Sequence, residues 1–215
     1  MTKLSVNINK IATIRNARGG NNPDIVKIAQ DCESYGAEGI TIHPRPDQRH
    51  ITTQDVYDLK KVVTTEYNIE GNPDQRFIDL VTKVKPEQVT LVPDEINAIT
   101  SDAGWDTIKF KNHLTDLISH FKSEGIRTSI FLNADINLVE SAAETGTDRI
   151  ELYTEPYAKH YQLNSLEAIR AFKDTAQQAQ KHGLDVNAGH DLDLNNLKYF
   201  HQEIEGLKEV SIGHA

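Results

Sequence analysis

Four ionisable residues each fall in or at the end of a short β-rich run. His43 follows Gly39-Ile40-Thr41-Ile42, and Glu70 closes Tyr67-Asn68-Ile69. Glu151 lies within Arg149–Thr154, and His190 follows Asn187-Ala188-Gly189. Histidine titrates near neutral pH and can give or take a proton. A carboxylate can take a carbon-bound proton if burial raises its pKa. Gathered in one pocket, such groups would serve a reaction with several proton transfers. His50 lies just beyond, in His43-Pro44-Arg45-Pro46-Asp47-Gln48-Arg49-His50, where two prolines stiffen a loop holding two arginines and two histidines. His214 also sits at a strand end, whereas the other histidines, His113, His120, His160, His182 and His201, fall in expected helices or outer loops and read as solvated surface groups.

Arginine suits phosphate, because its guanidinium matches the phosphate oxygens and a neighbouring glycine lets the backbone approach. The segment Arg15-Asn16-Ala17-Arg18-Gly19-Gly20 has that composition and is expected to be a phosphate loop; a flexible basic loop is the plain alternative. The stretch from Asp94 to Asp106, which holds Thr100, is long for a connection and reads as a decorated loop, with a closing lid as the alternative.

These residues must be positioned by a regular alternation of strand and helix. Strands are expected at Leu4–Asn9, Gly39–Pro44, Tyr67–Glu70, Gln88–Pro93, Arg127–Asn133, Arg149–Thr154, Asp185–His190 and Glu209–His214. Helices are expected at Pro23–Tyr35, Thr53–Thr65, Asp74–Val84, Thr107–Glu124, Asn137–Thr145, Ser165–His182 and Leu194–Ile204, the first capped by Asn22 before Pro23. Alternating units imply parallel strands with crossover helices. Eight strands fit a closed (β/α)8 TIM barrel in one domain over residues 1–215. An open doubly wound sheet is the alternative, since periodicity does not show closure. The sequence stops at Gly213-His214-Ala215, so the eighth helix of a standard barrel is expected to be missing from this chain. In a barrel enzyme the C-terminal strand ends form the active site. Asn7 and Asn9, His43 and Arg45, Glu70, Asn133 and Asp135, Glu151 and Thr154, His190, and Gly213-His214 all fall at that rim.

The net charge of −9 argues against nucleic-acid binding and leaves any anionic substrate to a few placed cations. No apolar run approaches membrane-span length, and no signal peptide is evident. The single Cys32 fits a reducing cytoplasm and reads as a structural thiol. Dinucleotide, P-loop and zinc-ligand patterns are absent.

Asn7-Ile8-Asn9, Ile11 to Gly19, Gly39 to Arg45, Arg49-His50-Ile51-Thr52, Asn68-Ile69-Glu70, Val89–Pro93, Asn187-Ala188-Gly189-His190 and Ile212-Gly213-His214-Ala215 together resemble the pyridoxine 5′-phosphate synthase family. The resemblance implies condensation of 1-deoxy-D-xylulose 5-phosphate with 3-amino-2-oxopropyl phosphate to pyridoxine 5′-phosphate, phosphate and water, without metal or cofactor. It implies that His43 and Glu70 accept protons, His190 donates one, and Glu151 stabilises a transition state. It places Asn7, Arg18, Gly213 and His214 on the amino-ketone phosphate, and Arg45, His50 and Thr100 on the sugar phosphate. Asn9-Lys10 stands where many members have Asp-His, and Asp191 where glycine is frequent, so these three are expected to contact substrate in an altered way. The family forms homo-oligomers, up to octamers. Two other readings remain: a metal-dependent barrel hydrolase or lyase ligated by His43, Glu70, His190 and His214, and a non-catalytic binder of phosphorylated ligands.

Overall fold

The computed structural model describes residues 1–94 and 101–214. Its strands are β1 (Lys3–Asn7), β2 (Gly39–Ile42), β3 (Glu66–Gly71), β4 (Gln88–Leu91), β5 (Arg127–Leu132), β6 (Arg149–Tyr153), β7 (Asp185–Gly189) and β8 (Leu207–Ile212). All are parallel, each pairs with the next, and β1 closes on β8 with Ser5 opposite Ser211. This is the closed eight-stranded barrel of the TIM type, and the open sheet is excluded.

Among the described residues the helices are α1 (Asn9–Arg18), α2 (Ile25–Ser34), α3 (Thr53–Val62), α4 (Gln75–Val84), α5 (Lys111–Ser123), α6 (Val139–Glu144), α7 (Glu155–Tyr161), α8 (Ser165–Lys181) and α9 (Leu197–Glu203). Two of them, α1 and α7, were not expected. The segment read as a phosphate loop after strand 1 is largely the second half of α1, with Gly19 following its end. Helix α7 begins directly after β6, with Pro156 in its first turn, where the missing N–H costs nothing. The cap of α2 is Asp24, not Asn22: its carboxylate accepts from the Val26 and Lys27 amides. Thr52 and Asp55 form a reciprocal capping box at the start of α3, which fixes the end of the loop carrying His50.

The apolar core lies outside the barrel wall, between strands and helices. One part gathers around Ile40, Tyr67, Phe77 and Phe121, and the other around Tyr157, Phe172 and Phe200. The lumen differs from the branched apolar filling usual for this fold. Ser5 Oγ meets Thr41 Oγ1 at 2.7 Å, Asn68 Nδ2 donates to Thr41 Oγ1 at 3.3 Å, and Thr90 Oγ1 donates to Asn68 Oδ1 at 3.1 Å. At the opposite end from the strand-end rim, Arg149 Nη1 donates to Gln88 Oε1 (3.1 Å) and Glu209 Oε2 (3.3 Å). It also stands 3.6 Å from Glu66, which pairs with Arg127. A charged plug thus closes one end, and the hydroxyl and amide chain leads up to the rim.

Candidate active site

At the C-terminal strand ends the barrel opens into a cavity of about 570 Å³, within the range of small-molecule sites. Its wall includes His43, Glu70, Glu151 and His190, together with Asn7, Asn9, Lys10, Arg45, His50, Asp191, Gly213 and His214. One residue expected at the site stands apart. Arg18 is exposed at the end of α1 and does not line the cavity. Thr100 and the rest of residues 95–100, within the long Asp94–Asp106 connection, lie outside the described residues.

Each group is held by the turn that follows its strand. Asn7 Oδ1 accepts from the Asn9 amide at 3.0 Å, and Asn9 Oδ1 accepts from the His43 amide at 2.9 Å. The two asparagines therefore tie the ends of β1 and β2 together while lining the cavity. A β-carbon at Gly213 would lie 2.2 Å from the Asn7 carbonyl oxygen. Only glycine permits that approach of β8 to β1.

Arg15 corrects the phosphate-loop expectation. It is buried, and its guanidinium makes a two-pronged pair with Asp55, at 2.6 and 2.7 Å. Its Nη2 also donates to the His50 carbonyl at 3.2 Å, and Asn16 Nδ2 donates to the same oxygen at 2.7 Å and to the Arg49 carbonyl at 3.1 Å. Helix α1 thus braces the loop that carries His50. His50 Nδ1 accepts from the Ile51 amide at 3.0 Å, which leaves the proton of the neutral ring on Nε2. Burial, then Arg45 and Arg49, bring the His50 pKa down to about 4. Arg45 is buried and donates to Asp94 Oδ2 at 2.8 Å, which also accepts from Ser101 Oγ at 2.6 Å.

The two central histidines and two glutamates have opposite tendencies. Burial, reinforced by Arg45, His50 and His190, pushes His43 well below its usual range. Burial also lowers His190, against Asp191, Asp94 and Glu155. Burial, with Glu151 and Asp94 as like charges, pushes Glu70 well above the usual carboxylate range. Burial raises Glu151 to about 7, against Thr90, whose Oγ1 lies 3.5 Å from Oε2. Burial thus favours the uncharged forms of His43, His190 and Glu70 in the cavity, with Glu151 near its midpoint at neutral pH.

Sequence reasoning missed Tyr153, Glu155, Ser101 and Ser211, all of which line the cavity. Tyr153 was findable, because strand alternation puts it on the same face as Glu151. Its ring stands edge-on to His190 with centroids 5.3 Å apart, Phe131 packs against the same imidazole at 5.7 Å, and its hydroxyl donates to Glu155 at 2.9 Å. Among the described residues no group of three His, Cys, Asp or Glu side chains is arranged to hold a metal ion.

The fold and this rim define a class, a TIM-barrel protein with a preformed acid/base pocket and placed cations. The whole chain also resembles, at low identity, other solved barrels. It aligns with a monomer of the dimeric phosphoribosylanthranilate isomerase from Thermotoga maritima at TM-score 0.61 and 13% identity, over 99% of this chain and 87% of that one. An HpcH/HpaI aldolase from Desulfitobacterium hafniense gives TM-score 0.62 and 10% identity, over 99% and 86%. The model of the family "Pyridoxal phosphate biosynthesis protein PdxJ" matches residues 4–215, and the chain belongs to that family. Curated relatives named pyridoxine 5′-phosphate synthase come from Cytophaga hutchinsonii (64% identical, all of this chain and 90% of the relative) and Flavobacterium johnsoniae (61%, all of this chain and 91% of the relative). A third, from Porphyromonas gingivalis, is 58% identical over all of this chain and 90% of its own length.

Proposed function

We propose that this protein is a pyridoxine 5′-phosphate synthase, which joins 1-deoxy-D-xylulose 5-phosphate and 3-amino-2-oxopropyl phosphate into pyridoxine 5′-phosphate, phosphate and water. The observation that carries the reading is the convergence of His43, Glu70, Glu151 and His190 on one cavity that Arg45, His50 and Lys10 also line. The names of the relatives, at about the same length and near 60% identity, support it.

The reaction needs an amine to add to a ketone, water to leave, carbon-bound protons to be removed, phosphate to depart and a ring to close. His43 starts uncharged and is ready to accept a proton. Glu70 accepts a carbon-bound proton, and burial, which pushes its pKa well above the usual carboxylate range, strengthens it as a base. His190 starts neutral and becomes a donor once it has taken a proton, which the charge of incoming phosphates favours. Glu151, near its midpoint, stabilises positive charge when ionised. Arg45, His50 and Thr100 hold the sugar phosphate; Asn7, Gly213 and His214 hold the amino-ketone phosphate. Asn9, Lys10 and Asp191 contact substrate beside them. Arg18 would have to turn inward from the end of α1 to join the second group.

Incubation with both phosphates, followed by chromatographic detection of pyridoxine 5′-phosphate, tests the reading. Tight binding of either phosphate without product would refute it and leave a non-catalytic binder. Activity that tracks stoichiometric zinc or manganese would favour the metal-dependent reading. Cytoplasmic location belongs to the same proposal, supported by the single half-buried Cys32. Among the described residues no helix is long and apolar enough to cross a membrane. Assembly into a homo-oligomer belongs to it too; sedimentation analysis would show a monomer if that part fails.

A further inference from the structure

His190 and Asp191 both adopt left-handed backbone angles, with φ of 85° and 57°. Non-glycine residues avoid that region unless their surroundings over-determine it. Two buried side chains supply the determination here. Thr154, fully buried, directs its hydroxyl at the carbonyls of Gly189 (2.6 Å) and His190, and its amide donates to Gly189 at 2.9 Å. Asn196, also buried, donates from Nδ2 to the Asp191 carbonyl at 3.0 Å. Its Oδ1 accepts from the Asp193 amide at 2.9 Å, which fixes which way the amide points. The Asn196 backbone is held in turn by the Tyr157 hydroxyl at 2.7 Å. Neither Thr154 nor Asn196 lines the cavity.

We propose that Thr154 and Asn196 are positioning residues that hold the left-handed turn at the end of β7 and so aim the His190 imidazole into the pocket. The inference rests on the proton-donor reading of His190. The ring is already confined between Tyr153 and Phe131, so the backbone clamp sets where along that slot the imidazole sits. Without the clamp, the turn relaxes toward negative φ and withdraws the ring from the reacting atoms. The conformation also accounts for Asp191 where the family often has glycine: aspartate is among the few side chains that enter this region readily.

The test is steady-state kinetics on the full chain with both phosphates. Thr154→Val should lower kcat about 30- to 100-fold, with both KM values within about twofold, because a displacement near 1 Å acts on the chemical step. Thr154→Ser keeps the hydroxyl and should stay within about threefold of the unaltered kcat. Asn196→Asp keeps the acceptor for Asp193 but sets a carboxylate oxygen against the Asp191 carbonyl; it should show the same split and decides the matter if Thr154→Val fails to fold. Unaltered kcat in the folded variants overturns the proposal, and so does a serine variant that falls as far as the valine one. His190→Ala separates the two levels. If it retains full turnover, the role of His190 itself falls; if it is inactive beside fully active Thr154→Val and Asn196→Asp, only the clamp falls.

Discussion

A β-carbon on Gly189 would stand 2.4 Å from Oε1 of Glu151, so the glycine of β7 is what lets the carboxyl of β6 lie in the pocket. The β6–β7 ladder sets Glu151 opposite Asn187 and Tyr153 opposite Gly189. Gly189→Ala is expected to push the carboxyl aside and cost about 1–3 kcal/mol of stability, as overpacking does. Its kcat should fall at least about tenfold. Urea unfolding and turnover on the same preparation check both; a fully active, equally stable variant would show that the carboxyl relocates freely.

His43→Ala and Glu70→Gln are expected to remove about 10²–10⁴ of kcat while leaving the fold intact. His43 is held through its backbone amide by Asn9, so truncating the ring does not loosen the turn. Circular dichroism melting establishes the fold, and product formation establishes the loss. Full activity in either variant would refute the role given to that residue.

Glu151 also makes a prediction about stability and pH. Burial raises its pKa to about 7 in the folded chain, whereas the unfolded chain titrates near the ordinary glutamate value. The folded form therefore keeps a proton that the unfolded form has lost, and stability from this group falls as pH rises from about 4.5 through 7. Glu151→Gln imitates the protonated carboxyl. It should match the unaltered protein near pH 4.5 and gain on it toward pH 8, by an amount on the order of a few kcal/mol. Urea unfolding at both pH values reads the difference; an equal offset at the two would contradict the raised pKa.

The strands and their rim were legible because the sequence signals there are local. Ile40-Thr41-Ile42 and Val89-Thr90-Leu91 are β-branched and apolar, and a polar residue at the end of such a run marks the rim. Helix α1 was not legible: its inward face carries Ala12 and Arg15, and an arginine there reads as surface until its partner Asp55, forty residues on, is in place. Helix α7 was not expected either: it is only seven residues long and starts directly after β6, with Pro156 in its first turn. The turn at His190 was also hidden, because nothing in a sequence announces that two non-glycine residues share left-handed angles.

The Arg15–Asp55 pair leads from the same hidden helix to substrate binding. The side chains are only 7% and 14% exposed, so removing one partner strands a charge, at a cost of about 3–5 kcal/mol. Arg15→Met should lose that much stability, and Arg15→Met combined with Asp55→Asn should recover part of it, because the second change removes the stranded charge yet keeps an oxygen for the Thr52 amide. Burial opposes the charge on Asp55, but Arg15 and Thr52 outweigh it and hold its pKa below the usual value. The unaltered protein should therefore lose this stability as pH falls through that range, and the double variant should show a flatter acid limb. Arg15 and Asn16 also grip the His50 carbonyl, so Arg15→Met should raise KM for the sugar phosphate more than it lowers kcat. An unchanged KM in a folded variant would mean that the loop holds His50 without Arg15, and the bracing role would pass to Asn16 alone.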